Sequence, residues 1–138
     1  PNPPASWWHL HKSCEGIRLD VLHKGAVGMG RLPWTRKNAA NKLAFNTWSE
    51  YGLIGWKPPH YAIRAHFHLH ADSGNNYPTR GIFLPAWQLT NSFANQIGPN
   101  RYSDIGAIMF VIDDGEVEYH EWITKLQYNQ RQPWYRRL

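Results

Sequence analysis

The chain has 138 residues, 42% of them hydrophobic, and a formal net charge of +5. That length suits one domain, 1–138, with a core of its own, and no apolar run is long enough to span a membrane as a helix. The only cysteine, Cys14, excludes an intramolecular disulfide and points to a reducing, cytoplasmic setting.

Pro1 implies removal of an initiator Met or of an upstream segment, and no signal-peptide pattern follows it. Five of the ten acids (Asp113, Asp114, Glu116, Glu118 and Glu121) crowd one short stretch, so the rest of the chain is strongly basic. Such a balance favours acidic partners, nucleic acid first. Eight Trp and seven Tyr add rings that fill cores or stack on bases.

Residues 1–6 form a Pro-rich, extended lead-in. Ile17, Leu19 and Val21 alternate with Arg18 and Asp20, the pattern of a strand over 16–23. A glycine-rich loop over 25–33 leads to Thr35, an N-cap for a helix with Ala40, Leu43, Ala44, Trp48 and Tyr51 on one face and Gly52 as its stop. The segment 60–71 alternates again and predicts a strand. Residues 80–84 predict a short strand. Pro85 opens a second helix whose stripe is Ala86, Leu89, Phe93 and Ile97. Ile105 to Ile112 predicts an apolar strand, Asp114-Gly115 a two-residue hairpin turn, and 116–126 the return strand. The tail, 127–138, is basic and aromatic. The order β-α-β-β-α-β-β predicts an α+β fold, a mostly antiparallel sheet with two helices on one face, for which a ferredoxin-like core is one arrangement.

The stretch R-A-H-F-H-L-H at 64–70 carries the chemistry. On a strand, Arg64, His66, His68 and His70 share one face. Two histidines can serve as general base and general acid on a phosphodiester, and an arginine beside them stabilises charge developing on phosphate. His66, His68 and Arg64 are therefore the candidate catalytic centre, with His70 and His120 in support. In the metal version of the same centre, His66 and His68 start about 6.6 Å apart, close enough to share one divalent transition-metal ion with Glu118. The acid–base version needs no cofactor. The same stretch contains the His-hydrophobic-His pattern of rolling-circle nicking endonucleases. It resembles that family in this short pattern only, because Tyr119 and Lys125 lack the family's Tyr–Lys helical spacing.

Candidate phosphate contacts are Arg31, Arg36, Lys37 and Lys42 around the first helix, and Trp134, Arg136 and Arg137 in the tail. Weaker candidates are Cys14 as a nucleophile, Asp113 to Glu118 as paired carboxylates, and Pro1 as a catalytic amine. Three functional classes follow. The leading expectation is a small basic protein that binds nucleic acid, RNA in particular, with His-dependent cleavage as its enzymatic form. The second is a non-enzymatic viral or phage accessory protein, or a toxin–immunity module, whose acidic hairpin 113–121 binds a protein partner. The third is a metal-dependent enzyme built on His-x-His.

Overall fold

The computed structural model describes residues 9–25, 28, 35–88 and 103–124. Two strands, β1 (His9–Cys14) and β2 (Ile17–Leu22), form an antiparallel hairpin. Its turn, Glu15-Gly16, has φ of +46° and +83°, the doubly left-handed geometry that lets two residues connect twisted strands. Helix α1 (Arg36–Leu53) follows Thr35 at its N-cap. The helix runs past Gly52 and stops at Gly55, which takes φ +73°. Trp56 N–H donates to Tyr51 O and Gly55 N–H to Gly52 O, the paired bonds of a Schellman ending.

Strands β3 (Tyr61–Arg64), β4 (Ala71–Asp72) and β5 (Arg80–Phe83) complete a five-stranded sheet of order β1-β2-β3-β5-β4. The β2–β3 and β3–β5 pairs are parallel, and the outer pairs β1–β2 and β4–β5 are antiparallel. The hairpin of β6 (Ile105–Asp113) and β7 (Glu116–Thr124) turns at Asp114-Gly115 as predicted and stands as a separate two-stranded sheet.

Register and pleat assign the faces. His9, His11, Asp20, Ala62, Arg64, Gly81 and Phe83 share one face, and Leu19, Val21, Tyr61, Ile63, Arg80 and Ile82 the other. Helix α1 covers the β3, β5 and β4 part of the first face. Ala39, Ala40 and Leu43 bury against Ala62, Leu69, Ala71 and Phe83. A Cβ on Gly81 would sit 2.5 Å from Ala40 O and 2.9 Å from Ala44 N, so the missing side chain sets how closely the helix lies on the sheet. The β6–β7 hairpin meets the second face through rings. Phe110 packs edge-on to Tyr61, with centroids 5.1 Å apart, and the Arg80 guanidinium lies 4.4 Å over Tyr119. Arg80 also forks onto Asp72. Burial opposes the Asp72 charge, but that fork and the Gly74 N–H hold its carboxyl below the ordinary range.

The predicted two-helix, mostly antiparallel, ferredoxin-like arrangement is wrong. Among the described residues there is one helix, and the sheet is mixed, with parallel strands at its centre. Ala86, placed by the sequence in a second helix, instead bridges Ile105 in parallel; residues 89–97 of that expected helix lie outside the described residues, as do 1–6 and 127–138. The antiparallel expectation failed because a parallel pair needs a covering crossover. Here α1 supplies that crossover between β2 and β3.

The strand predicted over 60–71 also needs correction. It ends at Arg64, and His66 and His68 then adopt φ of +69° and +56°. Phe67 and Leu69 still point into the core. The apolar-polar alternation is thus real, but left-handed residues produce it rather than a pleated strand. No helix among the described residues is long and apolar enough to cross a membrane.

Candidate metal centre

Three potential metal-ligating atoms, one each from His9, His11 and Asp20, lie within 4.8 Å of one another. Two facts of local structure put them there. His9 and His11 are two apart on β1, so both rings leave the same face. His11 is in register with Asp20 across the hairpin, which sets the carboxylate beside the rings. Asp20 is 2% exposed; both histidines are exposed.

The carboxylate is held from two sides. Arg64 Nη2 donates to Asp20 Oδ2 at 3.1 Å, and His9 Nε2 lies 2.6 Å from Oδ1. Arg64 is itself buried, with Nη1 donating to the carbonyls of Asp20 and Ile63. It therefore fixes the carboxylate and leaves Oδ1 facing the rings. From the helix, the Tyr51 hydroxyl lies 2.6 Å from His11 Nδ1, so Nε2 is the nitrogen left for an ion. Burial raises the Tyr51 pKa, the Asp20 charge adds to the shift, and Arg64 opposes it. A neutral phenol oxygen can accept from a ligating imidazole's second N–H, as carboxylates, carbonyls and waters commonly do, and so fix the tautomer and the ring plane.

The donor chemistry suits a first-row divalent ion. Two imidazoles and one carboxylate occupy one face of a coordination sphere and leave the remaining positions open. Bonds of about 2.1 Å place neighbouring donors about 3–3.4 Å apart, so the His9–Asp20 contact at 2.6 Å would open and the wider spacing, within 4.8 Å, would close by side-chain rotation. Without an ion, the contact between His9 Nε2 and Asp20 Oδ1 occupies that place; an ion would replace it.

The predicted site residues fall elsewhere. Arg64 does not line a solvated face with the histidines, because it is 7% exposed and committed to Asp20. His66 pairs with His23, Nδ1 to Nε2 at 3.2 Å. Burial lowers the His66 pKa, and Lys24, His23 and His68 lower it further. His68 accepts the Asp104 N–H on its carbonyl. His70 Nε2 lies 3.6 Å from Glu121, and His120 lies 3.0 Å from Glu118 on the hairpin. His66, His68 and Glu118 do not form a three-donor group; among the described residues only His9, His11 and Asp20 do. Arg36 is tied to buried Asp104 at 3.0 Å, while Lys37 and Lys42 are exposed on α1. Arg31, Trp134, Arg136 and Arg137 lie outside the described residues.

Sequence reasoning missed the centre although H-L-H at 9–11 carries the same spacing as H-F-H. The signal that would have found it is Glu15-Gly16 as a two-residue turn. Folding the chain there sets His11 opposite Asp20.

Beside the centre lies a cleft of about 260 Å³, with His11, Arg18, Tyr51, Trp56, Lys57 and Pro59 in its wall. Arg18 is fixed by Nε donating to Pro58 O and by Nη2 beside His60 Nε2. His60 Nδ1 accepts the Arg18 backbone N–H. Burial, and then the Arg18 charge, lower the His60 pKa.

No protein-family model, curated protein or solved structure matches the chain significantly.

Proposed function

We propose that this protein is a metal-dependent enzyme of the hydrolytic class, with His9, His11 and Asp20 as ligands to one divalent transition-metal ion. The convergence of those three donors at an open position on the sheet carries the reading. Arg64 already balances the charge of Asp20, so a doubly charged ion would leave the centre net positive. That favours ionising a bound water and drawing in an anionic ester, which agrees with the basic chain. Tyr51 would hold the His11 ring, and Arg64 the Asp20 carboxylate.

Elemental analysis of protein purified without a His tag tests the reading. Wild type should take up about one zinc, cobalt or manganese ion per chain, and the His9→Ala/His11→Ala variant none. Failure of the wild-type protein to retain any of the three ions would end the metal reading.

The nucleic-acid reading has one observation of its own in favour: Lys37 and Lys42 are exposed on one helix. Binding of single-stranded RNA that weakens steeply with salt, and further in Lys37→Gln/Lys42→Gln, would support it. Salt-insensitive or absent binding would reject it.

A further inference from the structure

The cleft beside His11 differs from a generic surface hollow in the chemistry of its wall. Among the described residues that line it are three cations, Lys12, Arg18 and Lys57, and no acid. Arg18 is held in place by its bonds to Pro58 and His60, so its charge is a fixed part of the wall. Trp56 is 63% exposed, so most of its apolar ring surface is open to a ligand. Its one described ring partner is Tyr51, met edge-to-face with centroids 6.2 Å apart. Tyr51 in turn reaches His11. A flat aromatic wall, fixed positive charge and one of the three candidate ligands, His11, therefore line one cleft. The volume, about 260 Å³, lies just under the usual range of small-ligand pockets, about 300–1,000 Å³, so it takes one small ligand part-enclosed rather than an extended chain.

We infer that this cleft binds a nucleotide unit, with the base stacked on Trp56 and the phosphate held by Arg18 and Lys57 on the side of His11. A base supplies the planar apolar surface, and a phosphate the anion. Neither alone uses both walls. This inference rests on the metal-centre reading only for the orientation of the phosphate; the wall itself belongs to the protein without an ion.

Titration calorimetry with 5′-adenosine monophosphate, adenosine and inorganic phosphate tests it, on full-length protein both in chelator and after loading with zinc. In chelator, adenosine monophosphate should bind at least tenfold more tightly than either fragment. Trp56→Ala should weaken it by roughly 5- to 150-fold, the range of one lost base–aromatic stack. Lys57→Gln should weaken it and flatten its salt dependence. Because Trp56 is exposed, the fold of its variant is checked by an unchanged melting temperature. A short single-stranded oligonucleotide distinguishes the two sources of the unit. Tenfold tighter binding than the mononucleotide assigns the cleft to a strand, and equal binding assigns it to the free nucleotide.

No binding of adenosine monophosphate at millimolar concentration, or binding indifferent to both variants, overturns the inference. Its failure is separable from that of the metal centre. Metal uptake without nucleotide binding removes only the inference, and nucleotide binding in protein that retains no metal removes only the centre.

Discussion

Asp20→Asn is the most informative single change in this protein. Asn keeps the shape and one acceptor oxygen, so the loss is the negative charge. That charge faces a buried guanidinium at 3.1 Å, with the two side chains 3% and 8% exposed. Removing one member of a buried pair leaves the other charge uncompensated, which costs about 3–5 kcal/mol. Arg64 keeps its bonds to the Asp20 and Ile63 carbonyls, so the lower end of that range is expected. Against a total stability of about 5–15 kcal/mol, this is a large fraction, and the urea midpoint should fall sharply with little change in slope. The companion variant Arg64→Met fills the space without the charge. If the two groups compensate one another, the double variant loses less than the sum of the singles, by at least about 1.5 kcal/mol. Additivity within about 0.5 kcal/mol would refute the claim that Arg64 exists to hold the Asp20 carboxylate.

Gly81→Ala should cost about 1–3 kcal/mol as an overpacked position, because its Cβ would meet the backbone of α1 at Ala40 and Ala44. The displaced helix should also move Tyr51 from His11 and weaken metal binding, read by competition with a chromogenic chelator; unchanged stability would contradict the close approach. Stability should fall as the pH drops below about 6.5, because the unfolded chain binds a proton at His60 before the folded one does. It should level off below the lowered folded value. His60→Asn, which still offers an acceptor to the Arg18 N–H, should show a shallower fall over that window, and equal slopes would contradict the assignment. Zinc at a hundred times its dissociation constant should stabilise the protein by about 2.7 kcal/mol, a rise of roughly 10 °C for a domain of this size. Acid should diminish the shift, because protons compete with the ion for its ligands; a shift retained in His9→Ala/His11→Ala would place the ion elsewhere.

Much of the local structure was legible in the sequence because local chemistry specifies it. Alternation at Ile17, Leu19 and Val21, the N-cap position of Thr35 and the turn signal of Asp114-Gly115 each determine an element from a few neighbouring residues. The identity of the strand partners was not legible, since the same alternation serves parallel and antiparallel pairing. The crossover through α1 makes β2–β3 parallel, and the return through β4 makes β3–β5 parallel. The histidine run at 66–70 misled for a related reason. Period-two alternation reports which side chains are buried, not how the backbone achieves it, and left-handed residues at His66 and His68 reproduce the same pattern outside a sheet.

The candidate centre shows the same division. The sequence supplied its parts: two histidines at strand spacing, a carboxylate and an arginine. Bringing them together required contacts across eleven residues from His9 to Asp20, forty from His11 to Tyr51 and forty-four from Asp20 to Arg64. The turn at Glu15-Gly16 encodes the first of those separations; no local pattern encodes the other two. They arise because burying the apolar stripe of α1 fixes Tyr51 over β1, and because burying Arg64 beside β2 is tolerable only where Asp20 meets its charge.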